Sequence, residues 1–420
     1  MKLKYGKEEI RLPIEDKNII KILNSGKQEI LLNPENKLRE LLKNPIGCFS
    51  LKELIFQKIA SKILIIVNDI TRPTPYEIIL PPLLGELHQT GIKKENIIFI
   101  IATGIHRSNS QEEIKEMFGE DIFSAYKFIN HDCDNPRQKD LGKLRSGNNL
   151  WVDPIVSDID FIITTGVIVP HYFAGFSGGR KSILPGICRR KTIEDNHAQM
   201  VHHNARAGNF KGSPVHEEMQ EAAEKVGVDF NINVVTNEHH EIIEIVAGEL
   251  YKSWLRGVEV CKKIYLCPIK QKAEVVIASA GGYPKDINVY QAQKALGNAC
   301  HAVKPGGTII LLAECTEKYG EATFEKWIEE ANTPDDIIKR LKNKFVLGGH
   351  KACAIARAVK EVEVILISSL PQDKVRKLFF IPMESVSQAL NYIKDKHGED
   401  FQAYILPSGN TVLPFFSILE

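Results

Sequence analysis

Short runs of aliphatic and β-branched residues recur along this 420-residue chain, each followed by a longer stretch with helical spacing. They fall at 63–68, 97–103, 161–165, 231–236, 275–279, 308–312, 364–368 and 403–406. A run apolar on both faces belongs in a sheet covered by helices on either side, which is the habit of parallel sheets. Two helix starts are written plainly between them. Ser110 and Glu113 form a capping-box pair ahead of 114–118, and Pro334 with Asp335 and Asp336 opens a helix over 337–344. The pattern predicts an α/β chain with largely parallel sheets.

The length exceeds one ordinary domain and calls for about two or three. The basic, proline-containing segment at 262–273 precedes a fresh strand and marks a boundary. The expectation is therefore an N-terminal domain over 1–265 and a C-terminal α/β domain over 266–420. The last fifteen or so residues, LPSGNTVLPFFSILE, read as loop and then apolar, suited to packing back onto the first domain. Function in such architectures sits on loops at the carboxyl ends of strands, so the active site is expected in the cleft between domains.

A net charge of +1 gives no electrostatic reason to expect nucleic acid or an anionic membrane as partner. The opening MKLKYGKEEIRLPI is charged throughout, unlike a signal peptide, and no apolar run reaches bilayer length. The expected location is the cytoplasm. Eight scattered cysteines contain no CxxC pair and read as reduced thiols, mostly buried.

Five strand-following segments carry chemistry. The first ends in Asp69-Ile70-Thr71-Arg72-Pro73, a carboxylate and a guanidinium three apart, and Arg can bind both oxygens of a carboxylate at once. Alone it reads equally as a surface pair closing a turn. The second ends in Gly104-Ile105-His106-Arg107 and the third leads to Pro170-His171. Two imidazoles from two strand ends can flank one ligand and exchange protons near neutral pH. Next comes Gly175-Phe176-Ser177-Gly178-Gly179-Arg180-Lys181-Ser182, whose backbone donors and two cations suggest an anion cradle. A nucleotide P-loop is excluded because Arg180 stands where its second glycine belongs. Lys181 beside Arg180 is also a candidate covalent anchor. His197 lies on a helix expected from about Thr192 and suits nickel, zinc, copper or iron. His202 and His203 share its face poorly and read as solvated. His216-Glu217 begins like HExxH, but Gln220 replaces the second histidine, so no zincin site follows. The last segment, Tyr290-Gln291-Ala292-Gln293-Lys294, puts an amide and an ammonium on one helical face.

Taken in register from Asp69 to Lys294, these blocks resemble the lactate racemase family. The resemblance implies a nickel-pincer cofactor, pyridinium-3-thioamide-5-thiocarboxylic acid mononucleotide, in which two sulfurs and a ring carbon hold the metal. It implies a thioamide link to Lys181, a nickel ligand at His197 and an acid/base pair at His106 and His171. Arg72, Tyr290, Gln291 and Lys294 fall at the substrate-binding positions. Asp69, Gly175, Ser177, Gly178 and Gly179 fall in the cofactor-binding loops. It also implies maturation by cofactor-building proteins and inversion at C2 of a small 2-hydroxy acid, lactate by prevalence. The side chains around the substrate's third carbon are not recognisable, which leaves malate, hydroxyglutarate and sugar acids open.

Chemistry supports the same reading. The Cα–H beside a carboxylate is poorly acidic, so removal as hydride by an electrophilic cofactor is easier than removal as a proton. Two alternatives remain at this point. An NAD-dependent 2-hydroxy acid dehydrogenase would use similar groups, but no GxGxxG follows a strand with an acidic residue about 20 further on. A non-catalytic anion- or cofactor-binding protein would not need two histidines at separate strand ends.

Overall fold

The computed structural model describes residues 1–26, 28–237 and 239–416. They form two compact units, one within 27–264 and the other combining 1–26 with the chain from 265 onward.

The first unit is built on a six-stranded sheet. Its spatial order is Ile242–Gly248, Phe230–Thr236, Phe161–Val167, Ile63–Asn68, Ile97–Ala102 and Lys127–Asn130. All neighbours are parallel except the first pair, an antiparallel edge. Strand Ile63–Asn68 is buried at every position but the last, as an unbroken aliphatic run requires when helices cover both faces. On one face Ile63, Ile65 and Val67 pack with Ile79 and Leu83 of helix Tyr76–Gln89 in a continuous core.

Topology decides where a site can form. From Ile63–Asn68 the chain steps outward to Ile97–Ala102 and Lys127–Asn130, then returns to place Phe161–Val167 on the other flank of the starting strand. The loops leaving Ile63–Asn68 and Phe161–Val167 therefore diverge, opening a crevice at the carboxyl ends of the strands.

The second unit has a six-stranded, wholly parallel sheet, ordered Ile381–Met383, Glu363–Ile367, Val303–Leu312, Ala273–Ser279, Ala403–Leu406 and Ile19–Ile22. The last strand corrects the expected 1–265 boundary. Ile19–Ile22 pairs with Ala403–Leu406, and Leu3 and Leu12 are buried in this unit's core. The opening residues belong here because the parallel sheet has a free edge that a short, half-exposed strand can close; such a strand has too little periodicity to show its partner. The chain's end behaves alike. Leu413–Phe416 pairs in parallel with Leu266–Ile269 in this same unit, not with the first domain, while 417–420 lie outside the described residues.

The capping box at Ser110 and Glu113 is present, as is the helix Pro334–Asn343. All eight cysteines are free, six of them buried. Among the described residues no helix is long and apolar enough to cross a membrane.

Candidate active site

Two strand ends place the first histidine. After Ile63–Asn68 the chain turns at Asp69, whose carbonyl accepts the Arg72 N–H at 3.0 Å. After Ile97–Ala102 the turn needs Gly104 at φ +57°, and its N–H donates to the Gly186 carbonyl at 3.0 Å. Parallel pairing of these strands sets their loops side by side, and His106 Nδ1 meets Asp69 Oδ2 at 2.6 Å. The Thr71 hydroxyl donates to the other carboxylate oxygen at 2.7 Å. Burial pushes the Asp69 carboxyl upward, but the hydrogen bonds from His106 and Thr71 outweigh it and hold the group below its ordinary value. An ionised Asp69 accepts, so in its neutral form His106 carries its proton on Nδ1 and leaves Nε2 bare. Among the described residues nothing bonds that nitrogen. Asp69, expected as a cofactor contact, thus has a partner inside the chain.

The loop after Phe161–Val167 places the second group. A two-residue hairpin, Pro170–His171 against Gly175–Phe176, turns His171 back over the segment that follows. The Ala174 N–H donates to His171 Nδ1 at 3.3 Å, and Lys181 Nζ lies 3.4 Å from Nε2. With Nδ1 accepting, a neutral His171 carries its proton on Nε2, the opposite tautomer from His106. Burial, then the charge of Lys181, pushes the imidazole well below its ordinary value. Burial, then Arg180 and Arg72, does the same to the Lys181 ammonium. The contact thus joins two partly buried groups whose charged forms are both disfavoured.

Phe173, which sequence reasoning passed over, is the hub of this group. Its ring lies edge-on to His171 at 4.6 Å and to His197 at 4.9 Å, with Lys181 Nζ 5.5 Å from its centre. The only available signal was an aromatic residue inside the block PHYFAGFSGG. His197 is buried on helix Arg190–Ala198. Arg72, with its guanidinium exposed, bears electrostatically on Asp69, His171 and Lys181, linking the two strand ends. It also lines a cavity of about 370 Å³ with Asp69, Tyr76, Glu116 and His240.

The glycine-rich segment differs from an open anion cradle. The Gly179 N–H donates to Asn233 Oδ1 at 2.9 Å and the Ser177 N–H to the Val169 carbonyl at 2.9 Å. The Ser177 hydroxyl bonds the Val167 carbonyl at 2.7 Å. Gly178 and Gly179 are needed for close packing: a Cβ would stand 2.8 Å from Asn233 Oδ1 at the first and 2.9 Å from the Trp254 ring at the second. A Cβ at Gly175 would collide with the Asn209 carbonyl. Arg180 does not face an anion. It is 1% exposed, stacks over Trp254 at 4.1 Å and donates to the Ala174 and Phe176 carbonyls at 2.8 and 3.1 Å. Desolvation lowers its guanidinium to about 9. Of the two cations, Lys181 alone is left at the Phe173 cluster.

His202 and His203 are exposed, and His216 is buried against Trp254. Tyr290, Gln291 and Lys294 lie in the second unit on helix Val289–Ala299, capped by Asn288, whose side chain accepts the Gln291 N–H at 3.0 Å. Lys351 Nζ donates to the Tyr290 carbonyl at 2.6 Å and lies 3.8 Å from its ring.

Among the described residues no cluster of three or more histidine, cysteine or acidic side chains gathers to cage a metal. What the site offers is one buried imidazole, His197, and one partly buried lysine, Lys181, whose charged form is disfavoured by burial and by Arg180 and Arg72. That set fits a metal whose remaining ligands arrive on a group tethered through the lysine.

Comparison with known proteins gives one answer throughout. Residues 5–208 match the lactate racemase N-terminal domain and residues 269–413 the lactate racemase C-terminal domain. A lactate racemase of Thermoanaerobacterium thermosaccharolyticum is 34% identical over 98% of both chains, and one of Lactiplantibacillus plantarum is 32% identical over 98% of both. The structure of the Thermoanaerobacterium lactate racemase apoprotein superposes with a TM-score of 0.89 at 33% identity, covering 99% of each chain. A Thermotoga maritima protein, 21% identical with a TM-score of 0.61, shares the fold alone. With both domain models matched in order and full-length relatives above 30% identity, the chain belongs to the lactate racemase family of isomerases.

Proposed function

We propose that this protein interconverts the two enantiomers of lactate, removing the C2 hydrogen with its electron pair and returning it to the opposite face. The observation that carries this reading is the pair of imidazoles at two strand ends, His106 with Nδ1 on Asp69 and Nε2 open, and His171 beside the partly buried Lys181. The cofactor would be the nickel-pincer nucleotide, tethered at Lys181 with His197 as the protein's nickel ligand. When bound, it supplies the electrophile that accepts and returns the hydride.

The chain's own residues do the rest. His106 Nε2 takes the proton of the C2 hydroxyl as the hydrogen leaves, and Asp69 keeps the ring in that tautomer and stabilises the imidazolium. His171 serves the other face as the second acid/base group, returning a proton to the keto oxygen from its imidazolium form and being left neutral. Arg72 binds the substrate carboxylate, with Gln291, Lys294 and Tyr290 as further substrate contacts on the family's pattern. Phe173 holds His171, Lys181 and His197 in one cluster. The glycine-rich turn, with Ser177 and Gly175 to Gly179 bonded within the chain, delivers Lys181. Loading would depend on separate cofactor-building proteins.

The test is intact-mass and peptide mapping of protein co-expressed with cofactor-building enzymes, paired with polarimetry on single enantiomers of lactate, malate and 2-hydroxyglutarate. The expected result is a mass increment on Lys181 and loss of optical rotation with lactate. An increment on another residue, or loaded protein that leaves every hydroxy acid optically unchanged, would overturn the proposal.

A further inference from the structure

His197 needs a rigid mount if one imidazole is to meet a metal at a set distance. The structure supplies an unusual one. Glu218, on helix Pro214–Val226, is 4% exposed, yet among the described residues it pairs with no cation. Its Oε1 accepts from the Ser146 hydroxyl and from Asn148 Nδ2 at 2.7 Å. Its Oε2 accepts from Asn196 Nδ2 at 2.8 Å and Gln199 Nε2 at 2.6 Å. All four partners are neutral donors, which suits an acceptor-only carboxylate and makes its burial tolerable. Two of them, Asn196 and Gln199, bracket His197 in the chain, and Asn196 also donates to the Val215 carbonyl at 3.2 Å. Glu218 therefore grips the helix on both sides of the histidine and ties it to the 144–148 turn.

We infer that Glu218 is a positioning residue for His197, setting where the imidazole sits without touching the reacting atoms. The inference rests on the proposed role of His197 as nickel ligand. Groups that orient a metal ligand carry part of the metal's affinity, since a ligand that must be ordered on binding loses free energy to entropy.

Glu218→Gln keeps the shape but sets an NH2 among donors. Gln199→Ala removes one of the bracketing bonds from a less buried position, and serves if the first variant folds poorly. Two measurements apply. In the apoprotein, amide hydrogen exchange across 190–201 is expected to quicken about tenfold in Glu218→Gln while strand 63–68 is unchanged; in the loaded protein, EDTA is expected to strip nickel about tenfold faster, with the Lys181 adduct intact by mass. Gln199→Ala should fall between Glu218→Gln and wild type in both. Uniform acceleration of exchange across the unit, or nickel loss at the wild-type rate in both variants, would overturn the inference. Absence of any Lys181 adduct in the wild type would instead count against the proposed function, leaving the exchange result to decide the mount.

Discussion

Two histidine–aspartate pairs in the first unit use the same chemistry to different ends. At the strand ends, His106 Nδ1 bonds Asp69 at 2.6 Å and leaves Nε2 open, with the imidazole side chain 33% exposed. In the seam beside the 139–152 hairpin, His131 Nδ1 bonds Asp153 at 2.9 Å, Nε2 bonds the Cys188 carbonyl at 2.9 Å, and the side chain is fully buried. Both rings rest on a carboxylate through Nδ1. Only His106 has a nitrogen left over to move a proton. The His131 pair is a strut, and the His106 pair is a proton-transfer device because it is unfinished.

The comparison can be broken by mutation. His106→Ala is expected to lower kcat about a thousandfold, the scale of a lost general base, with a smaller loss of stability than at His131 because water can enter beside Asp69 where the ring was partly exposed and Thr71 still bonds the carboxylate; steady-state racemisation and calorimetry check both. His131→Ala should invert that pattern, costing about 3 kcal/mol in urea unfolding while activity per folded molecule stays within about twofold, since it strands a buried carboxylate. Equal activity losses in the two would erase the distinction. Asp69→Asn should lower kcat about a hundredfold, because an amide can donate to Nδ1 and hold the wrong tautomer. A shift in KM alone would show that Asp69 serves binding instead.

A third histidine sharpens the rule by lacking an acid. His216 lies stacked on Trp254 at 5.2 Å, and burial, then Arg180, lowers it to about 3. Above its unfolded value of about 6.5 both states are neutral and its environment costs nothing; below it the unfolded chain binds a proton that the native state refuses. Stability should thus fall with pH from about 6.5 towards 3, by up to about 1.4 kcal/mol per pH unit from this group. His216→Phe is expected to flatten the wild-type slope between pH 6 and pH 4 by about one proton, measured by urea unfolding at each pH. An unchanged slope would mean that His216 is protonated in place.

The site was legible in unequal parts. Strand cores showed in the sequence because aliphatic runs have one stable home, and strand Ile63–Asn68 begins and ends where its run does. The histidines, Lys181 and Arg72 stood out because chemistry-bearing residues after such runs are few. Arg180 misled, since a cation beside glycines reads as an anion ligand until its guanidinium is seen bonded to carbonyls of its own loop. Phe173 gave only a faint signal, its place inside the PHYFAGFSGG block, and Glu218 gave none, because an aromatic or an acid shows no role until its neighbours are known. Ile19–Ile22 hid for the same reason, its partner Ala403–Leu406 lying at the far end of the chain.

Local composition, by itself, determined where this protein has strands and capped helices and which residue types follow the strands, because hydrophobic periodicity and capping are short-range properties. Tertiary structure alone decided which carboxylate faces which ring, which nitrogen of His106 is left open, and that Arg180 is buried while Lys181 remains at the Phe173 cluster. Those outcomes depend on hydrogen bonds and desolvation between residues distant in sequence, such as Asp69 with His106 and Arg180 with Trp254.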